Sequence, residues 1–297
     1  MAEGGYARPG AKSIADPAWA AQATLCKLAA VGKTLNIAHR GGAALKPENS
    51  LTAFSAAIAR GYDGAELDVQ LSADGVVVVH HDFRLNPALT RHAGGWITGQ
   101  PPAIKDLSYA ALQAFDIGRA DPDSLYARAH PKLAPGEGER IPTLEAVVAR
   151  VREARQPFWL FVELKTSGHP DSGDPIALAD ETLAVMECYL DRTIFVGFDW
   201  RGLQQIKALA PGARCWFTTD RLEGDIRPIL DNIADNKANG WFPDYRNATP
   251  ENVTYAREIG LKVGAWTVNA PAEMKKLLAL ELNAICTDRP DLLQALE

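Results

Sequence analysis

Hydrophobic and polar positions follow two alternating periods along the chain. Short runs rich in Val, Ile, Phe and Trp recur at 35–39, 65–71, 76–81, 158–165, 193–199, 214–219, 240–244, 262–268 and 284–287. Between most of them lie stretches with helical spacing, at 50–60, 143–155, 175–190, 201–210, 222–239, 250–259 and 271–280. Runs such as FWLFVELK and TIFVGFD are apolar on both faces through most of their length. Strands have that character when helices cover one side and packed side chains fill the other. The pattern predicts an α/β chain of parallel βα units, and a closed (β/α)8 TIM barrel fits it best.

Nine strand-like runs exceed eight staves by one. Only Ser72-Ala73-Asp74-Gly75 separates the second run from the third, too little for a parallel crossover, so these two are expected to pair as an antiparallel hairpin. With Asp74-Gly75 as a two-residue turn, Asp68 faces His81 and shares a face with Glu66, while His80 points away; a three-residue loop reverses that parity. Residues 84–140 follow, Pro- and Gly-bearing with little periodicity (GGWITGQPP, HPKLAPGEGER), and read as a small inserted cap over the barrel mouth. Upstream, 14–31 is Ala-rich, which marks 1–34 as an N-terminal extension with helical character and leaves 35–297 to the barrel.

Composition narrows the partners. The chain has 297 residues with 31 Lys+Arg against 37 Asp+Glu, a formal charge of −6, and no basic run. That balance argues against nucleic acid or an anionic membrane surface and leaves a small molecule as the expected partner. No apolar run approaches the roughly 18 residues a spanning helix needs. Residues 1–13 lack the pattern of a secretory leader, so the reading is a soluble chain, cytoplasmic, or periplasmic or secreted if a leader was removed ahead of it. Oligomeric state is left open. Cys26, Cys188, Cys215 and Cys286 lie far apart and read as reduced core residues.

Working groups of βα barrels sit at the C-terminal strand ends. There this chain carries His39-Arg40-Gly41, then Glu66 and Asp68, then His81-Asp82, then Glu163 and Lys165, and finally Trp266. Three carboxylates converging on one mouth repel one another unless a cation neutralises them, and hard oxygen ligands favour Mg²⁺ or Ca²⁺ over zinc. Two histidines beside such a cation supply the base and the acid that phosphodiester hydrolysis needs. Arg40 is placed to hold phosphoryl oxygens, and Lys165 shares the inward face of Glu163 by strand alternation. His80, His92, His130 and His169 lack such neighbours and read as structural or surface residues. Asn49 or Ser50 is expected to cap the following helix, Glu48 to flank that cap or orient a catalytic group, and Asp82 to cap a strand end or partner a histidine.

Several motifs in order resemble the glycerophosphodiester phosphodiesterases. They are His39-Arg40-Gly41, Pro47-Glu48-Asn49-Ser50, Gly61 to Val69, Asp74-Gly75, Val79-His80-His81-Asp82, Ile141-Pro142-Thr143-Leu144, Glu163-Leu164-Lys165, Trp266-Thr267-Val268-Asn269 and Thr287-Asp288-Arg289-Pro290. The resemblance implies a phosphatidylinositol-phospholipase-like barrel that hydrolyses glycerophosphodiesters to glycerol 3-phosphate and an alcohol. Carried over by position, it implies His39 and His81 as the acid–base pair and Glu66, Asp68 and Glu163 as ligands of one divalent cation. Arg40 and Lys165 become phosphate contacts, and Trp266 an apolar wall for glycerol. Gly197-Phe198-Asp199 departs from the family's usual Ser-Phe and bears on substrate preference. Two other readings use the same residues: a lysophospholipase D, and a barrel that binds phosphodiesters without turnover.

Overall fold

The computed structural model describes residues 33–297, so Cys26 and nearly all of the extension expected over 1–34 lie outside it. The strands in chain order are β1 (Leu35–Ala38), β2 (Gly64–Leu71), β3 (Val77–Val79), β4 (Arg91–His92), β5 (Gly95–Trp96), β6 (Phe115–Asp116), β7 (Trp159–Leu164), β8 (Thr193–Gly197), β9 (Arg214–Thr219), β10 (Gly240–Pro243), β11 (Lys262–Ala265) and β12 (Ala284–Thr287). Eight of them, β1, β2 and β7 to β12, pair in parallel around a closed ring, β1 bonding to both β12 and β2. The (β/α)8 barrel is therefore the architecture. Helices α1 (Leu51–Ala59), α2 (Tyr109–Leu112), α3 (Leu125–Ala129), α4 (Leu144–Arg152), α5 (Pro175–Met186), α6 (Trp200–Leu209), α7 (Arg227–Asp235), α8 (Pro250–Glu258), α9 (Pro271–Ala279) and α10 (Pro290–Gln294) complete the chain. Pro228 opens α7, which is shorter than the periodicity at 222–239 suggests.

Strand pleat sorts the side chains. Ile37, Trp159, Phe161, Ile194, Val196, Trp216, Phe242, Ala284 and Cys286 fill the barrel interior as one apolar cluster. Alternate residues such as Leu160, Val162 and Leu164 join the larger cluster that includes Leu144, Val147 and Val148 of α4 and Leu178 and Leu183 of α5. Along β7 the inward set runs Trp159, Phe161, Glu163, so its polar member comes last, at the C-terminal mouth.

The early hairpin is present, but its register corrects the two-residue turn. β3 pairs antiparallel with β2 as Val69↔Val79, Gln70↔Val78 and Leu71↔Val77. Ala73-Asp74-Gly75 thus form a three-residue loop closed by Gly75 N–H to Ser72 O at 3.0 Å, with Gly75 at φ 79°. Only a residue tolerant of the left-handed region closes this loop without strain, which is why glycine stands there. His80 rather than His81 lies opposite Asp68, its N–H donating to Asp68 O at 2.9 Å.

Residues 84–140 hold more structure than their sequence suggests. Strand β4 pairs with both β5 and β6, and two-residue strands are too short to leave a period. Leu85, Ile104, Leu112, Ile117 and Ile141 pack with Val78 of β3 into a separate small core. The segment meets the rim of the barrel through Ala134 N–H to Leu45 O at 3.0 Å and through Arg84, which forks onto Asp171 at 2.6 and 2.8 Å. Cys215 and Cys286 are buried free thiols, whereas Cys188 is exposed and so departs from the core reading. No helix among the described residues is long and apolar enough to cross a membrane.

Candidate active site

β1 ends in a tight turn, His39–Gly41, and Arg40 there adopts φ 51°, ψ 31°. This left-handed conformation is strained for a non-glycine residue. It turns the Arg40 backbone N–H onto Glu66 Oε2 at 3.0 Å and sends the side chain back across the mouth, Nη1 to Glu48 Oε1 at 2.9 Å and Nε 3.5 Å from Asp68 Oδ2. Gly41 sits against α1 so closely that a Cβ there would lie 2.7 Å from that of Ala53. Ser50 caps α1, accepting from Ala53 N–H at 3.1 Å. Asn49 is thereby released from capping, and at φ 55° it donates from Nδ2 to Asp68 Oδ2 at 2.8 Å.

Glu66, Asp68 and Glu163 are all buried, and one oxygen from each lies within 4.8 Å of the others. Glu66 Oε1 has no hydrogen-bond partner; Asp68 Oδ1 lies 3.2 Å from Lys165 Nζ yet accepts no hydrogen bond from it. Burial pushes the Glu66 carboxyl up, and the negative charge of Asp68 pushes it further. Burial acts on Asp68 in the same direction, but the charges of Lys165, His81 and Arg40 outweigh it and hold Asp68 below the usual carboxylate range. Lys165 also contacts Glu163 Oε1 at 2.5 Å, and the two carboxylates keep its ammonium charged despite burial. Arg40 is shared with Glu48, so the cations beside these three carboxylates do not neutralise them in full, and two buried oxygens are without hydrogen bonds. Such a donor set fits a small hard divalent cation.

The histidines flank this cluster. His39 Nε2 lies 3.8 Å from Glu66 Oε2, and its Nδ1 meets Asp288 Oδ1 at 2.6 Å. Burial disfavours the imidazolium of His39, but the carboxylates of Asp288 and Glu66 outweigh burial and Arg40 together, so the ring keeps its proton to higher pH than an ordinary histidine. Asp288 is held in turn by Asn269, which donates from Nδ2 at 2.6 Å and accepts the Asp288 N–H at 2.9 Å. His81 Nδ1 lies 2.7 Å from Asp82 Oδ1, which makes Asp82 a histidine partner. Beyond Val79 the chain leaves the ladder, and Gln70, one pleat past Asp68, donates from Nε2 to the carbonyls of His80, His81 and Asp82 at 2.8, 3.4 and 2.8 Å. His80 is buried, and burial lowers its pKa and keeps it neutral.

Trp266 is half-buried at the other side of the mouth. Its Nε1 donates to Phe242 O at 3.1 Å, and its ring meets Phe198 edge-on at 5.3 Å. Lys165 Nζ lies 5.7 Å above that same Phe198 ring, so an ammonium and an apolar wall adjoin. The eight residues singled out from sequence all reach this end of the barrel. Asn49, Gln70 and Asp288 belong beside them, although sequence reasoning gives them no site role, and so does Phe198, whose segment it ties only to substrate preference. Three of these four lie inside or next to the quoted motifs, and Gln70 and Asp288 lie at or just past a strand end, which is the available signal; Phe198 directly follows β8.

Residues 39–292 match the model of the glycerophosphoryl diester phosphodiesterase family. The chain belongs to that family. Among its relatives, YhdW of Bacillus subtilis is 31% identical over 264 residues, covering 86% of this chain and 94% of its own. The glycerophosphodiester phosphodiesterase of Caldanaerobacter subterraneus subsp. tengcongensis is 30% identical over 263 residues, covering 88% and 96%. A solved family structure from Silicibacter pomeroyi DSS-3 superposes with a TM-score of 0.81 at 29% identity, covering 88% of this chain and 92% of that one. An Oleispira antarctica phosphodiesterase, solved with its product sn-glycerol-3-phosphate, shares the fold at a TM-score of 0.70 and 23% identity, covering 89% and 96%.

Proposed function

We propose that this glycerophosphodiester phosphodiesterase cleaves its substrates to sn-glycerol 3-phosphate and an alcohol, with a divalent cation, Mg²⁺ or Ca²⁺, held by Glu66, Asp68 and Glu163. The observation that carries the reading is the pairing of two carboxylate-backed histidines with a buried acidic cluster, two of whose oxygens lack hydrogen-bond partners. The cation, when bound, supplies Lewis-acid stabilisation of phosphoryl charge. The chain's own residues do the rest. Arg40 and Lys165 present fixed positive charge to the phosphoryl oxygens as charge grows in the transition state. One of His39 and His81 takes the proton of the attacking oxygen, water or a glycerol hydroxyl whose cyclic phosphate water then opens, and the other gives a proton to the departing alkoxide. Asp288 and Asp82 each hold one ring nitrogen, leaving the other nitrogen to face the phosphodiester. Trp266 and Phe198 offer the glycerol carbons a wall that excludes water on one side.

The test offers purified protein glycerophosphocholine, glycerophosphoethanolamine and glycerophosphoglycerol with Mg²⁺ or Ca²⁺, and follows glycerol 3-phosphate. Release is expected, is abolished by chelation and restored by metal, and falls by about 10²–10⁴-fold in His39→Ala. No release from any substrate, or undiminished release in that variant, overturns the reading. A preference for lysophospholipids over all three would move it to lysophospholipase D.

A further inference from the structure

Resting on that functional reading, we infer that Tyr126, a residue of the 84–140 insertion, is a positioning residue for phosphoryl recognition: it holds Glu48 so that Arg40 keeps donors free for substrate. Tyr126 lies on α3, which Ser124 caps by accepting the Ala127 N–H at 3.0 Å. The neighbouring Leu125 is exposed, while the Tyr126 ring turns inward, packed 4.2 Å from the ring of His130. Its hydroxyl donates to Glu48 Oε2 at 2.5 Å, and Glu48 Oε1 accepts from Arg40 Nη1 at 2.9 Å. Burial, reinforced by the charges of Glu48 and Asp288, raises the phenol well above an ordinary tyrosine, so it remains a neutral donor at working pH.

The consequence follows from carboxylate and guanidinium shapes. An unrestrained carboxylate takes arginine in a two-point fork, which is the stronger arrangement. Such a fork would draw a second guanidinium N–H onto Glu48. With Tyr126 donating to Oε2 and fixing the orientation of the carboxylate, Glu48 holds Arg40 by one point. Among the described residues Glu48 is the only side chain to which that guanidinium donates a hydrogen bond, through Nη1, so Nη2 is unengaged; Nε is buried 3.5 Å from Asp68 Oδ2 and makes no hydrogen bond. The insertion thereby reaches the phosphate-recognising arginine without touching the reacting atoms.

Tyr126→Phe removes the hydroxyl and keeps the ring, so the fold is retained. Losing a hydrogen bond to a charged group corresponds to about tenfold in affinity. KM should rise by about that factor while kcat changes less than about threefold, and the dissociation constant of sn-glycerol 3-phosphate should rise by the same factor in calorimetry. The factor should be equal for glycerophosphocholine and glycerophosphoethanolamine, because the effect passes through the shared phosphoryl group. In a double-mutant cycle with Glu48→Gln the two effects should be non-additive. Unchanged KM and product affinity, additive effects, or a factor that differs between headgroups would each overturn the proposal, the last by placing Tyr126 on the alcohol instead. Wild-type protein that turns over no glycerophosphodiester counts against the functional reading, and product binding by the two proteins then decides the role of Tyr126 alone. If wild type binds no product either, both ideas fall.

Discussion

Asp288→Asn isolates one charge behind one catalytic candidate. The carboxylate meets His39 Nδ1 at 2.6 Å and is held from its other oxygen by Asn269 at 2.6 Å, so an isosteric amide should occupy the same space. Two things are lost. The imidazolium of His39 loses the largest influence that raises its pKa, leaving Glu66 alone against burial and Arg40, which lower it. The amide can also turn its NH₂ toward the ring and favour the wrong tautomer. A hydrogen bond to a charged group contributes about 1.5–3 kcal/mol, and the side chains involved are mostly buried, so little of that is screened. Converted at 1.36 kcal/mol per decade, the expected loss in kcat/KM is about 10- to 150-fold near neutrality, with tautomer misplacement adding to it. The assay is kcat/KM against pH with glycerophosphocholine in saturating metal. The limb belonging to His39 should move to lower pH, because the protonated ring has lost its neighbouring anion, while the other limb stays. A rate within threefold of wild type and two unmoved limbs would refute the coupling between Asp288 and His39.

Other changes probe the remaining parts of the site. Asp68→Asn should weaken Mg²⁺ or Ca²⁺ binding by more than about tenfold with the fold intact by circular dichroism, and an unchanged metal titration would remove Asp68 as a ligand. Gln70→Leu leaves the carbonyls of His80, His81 and Asp82 without their donor; it should cost about 1–3 kcal/mol in denaturant unfolding and lower kcat, whereas a loss of stability alone would make Gln70 structural. Asp82 and Asp288 are both held down to about 2, Asp82 by His81 and Asn86, Asp288 by His39 and Asn269, each against the upward push of burial. A depressed carboxylate stabilises the fold above its ordinary range and ceases to do so as pH falls through its folded value. Melting temperature should therefore drop between about pH 4 and pH 2, and less steeply in the Asp82→Asn/Asp288→Asn double variant.

Much of this protein is written in local pattern. The period switch between strand and helix marks all eight staves, because a strand buried on both faces must be apolar along most of its length. Polar residues that interrupt such strands at their ends stand out, which is why Glu66, Asp68, Glu163 and Lys165 are visible in the chain alone. His39, Arg40 and His81 are legible for the same reason, and ordered motifs add Trp266. Local pattern fails where partners are distant in sequence or where geometry turns on one residue. Hairpin parity depended on whether Gly75 closes a two- or three-residue loop; a two-residue type I′ turn would hold Asp74 as well as Gly75 at positive φ, whereas only Gly75 is there and Ala73 joins the loop. His81 still joins the site because Gln70 gathers the chain after it has left the ladder, a long-range contact with no period. Asp288 meets His39 only because β12 closes the ring against β1. The insertion hid its strands by their brevity, and Tyr126 carries no signal at all along the chain. Sequence determines which side chains are polar and which face of a strand they share; closing the barrel and folding the insertion onto its rim decide which of them meet, because the hydrogen bonds that aim them join residues far apart along the chain.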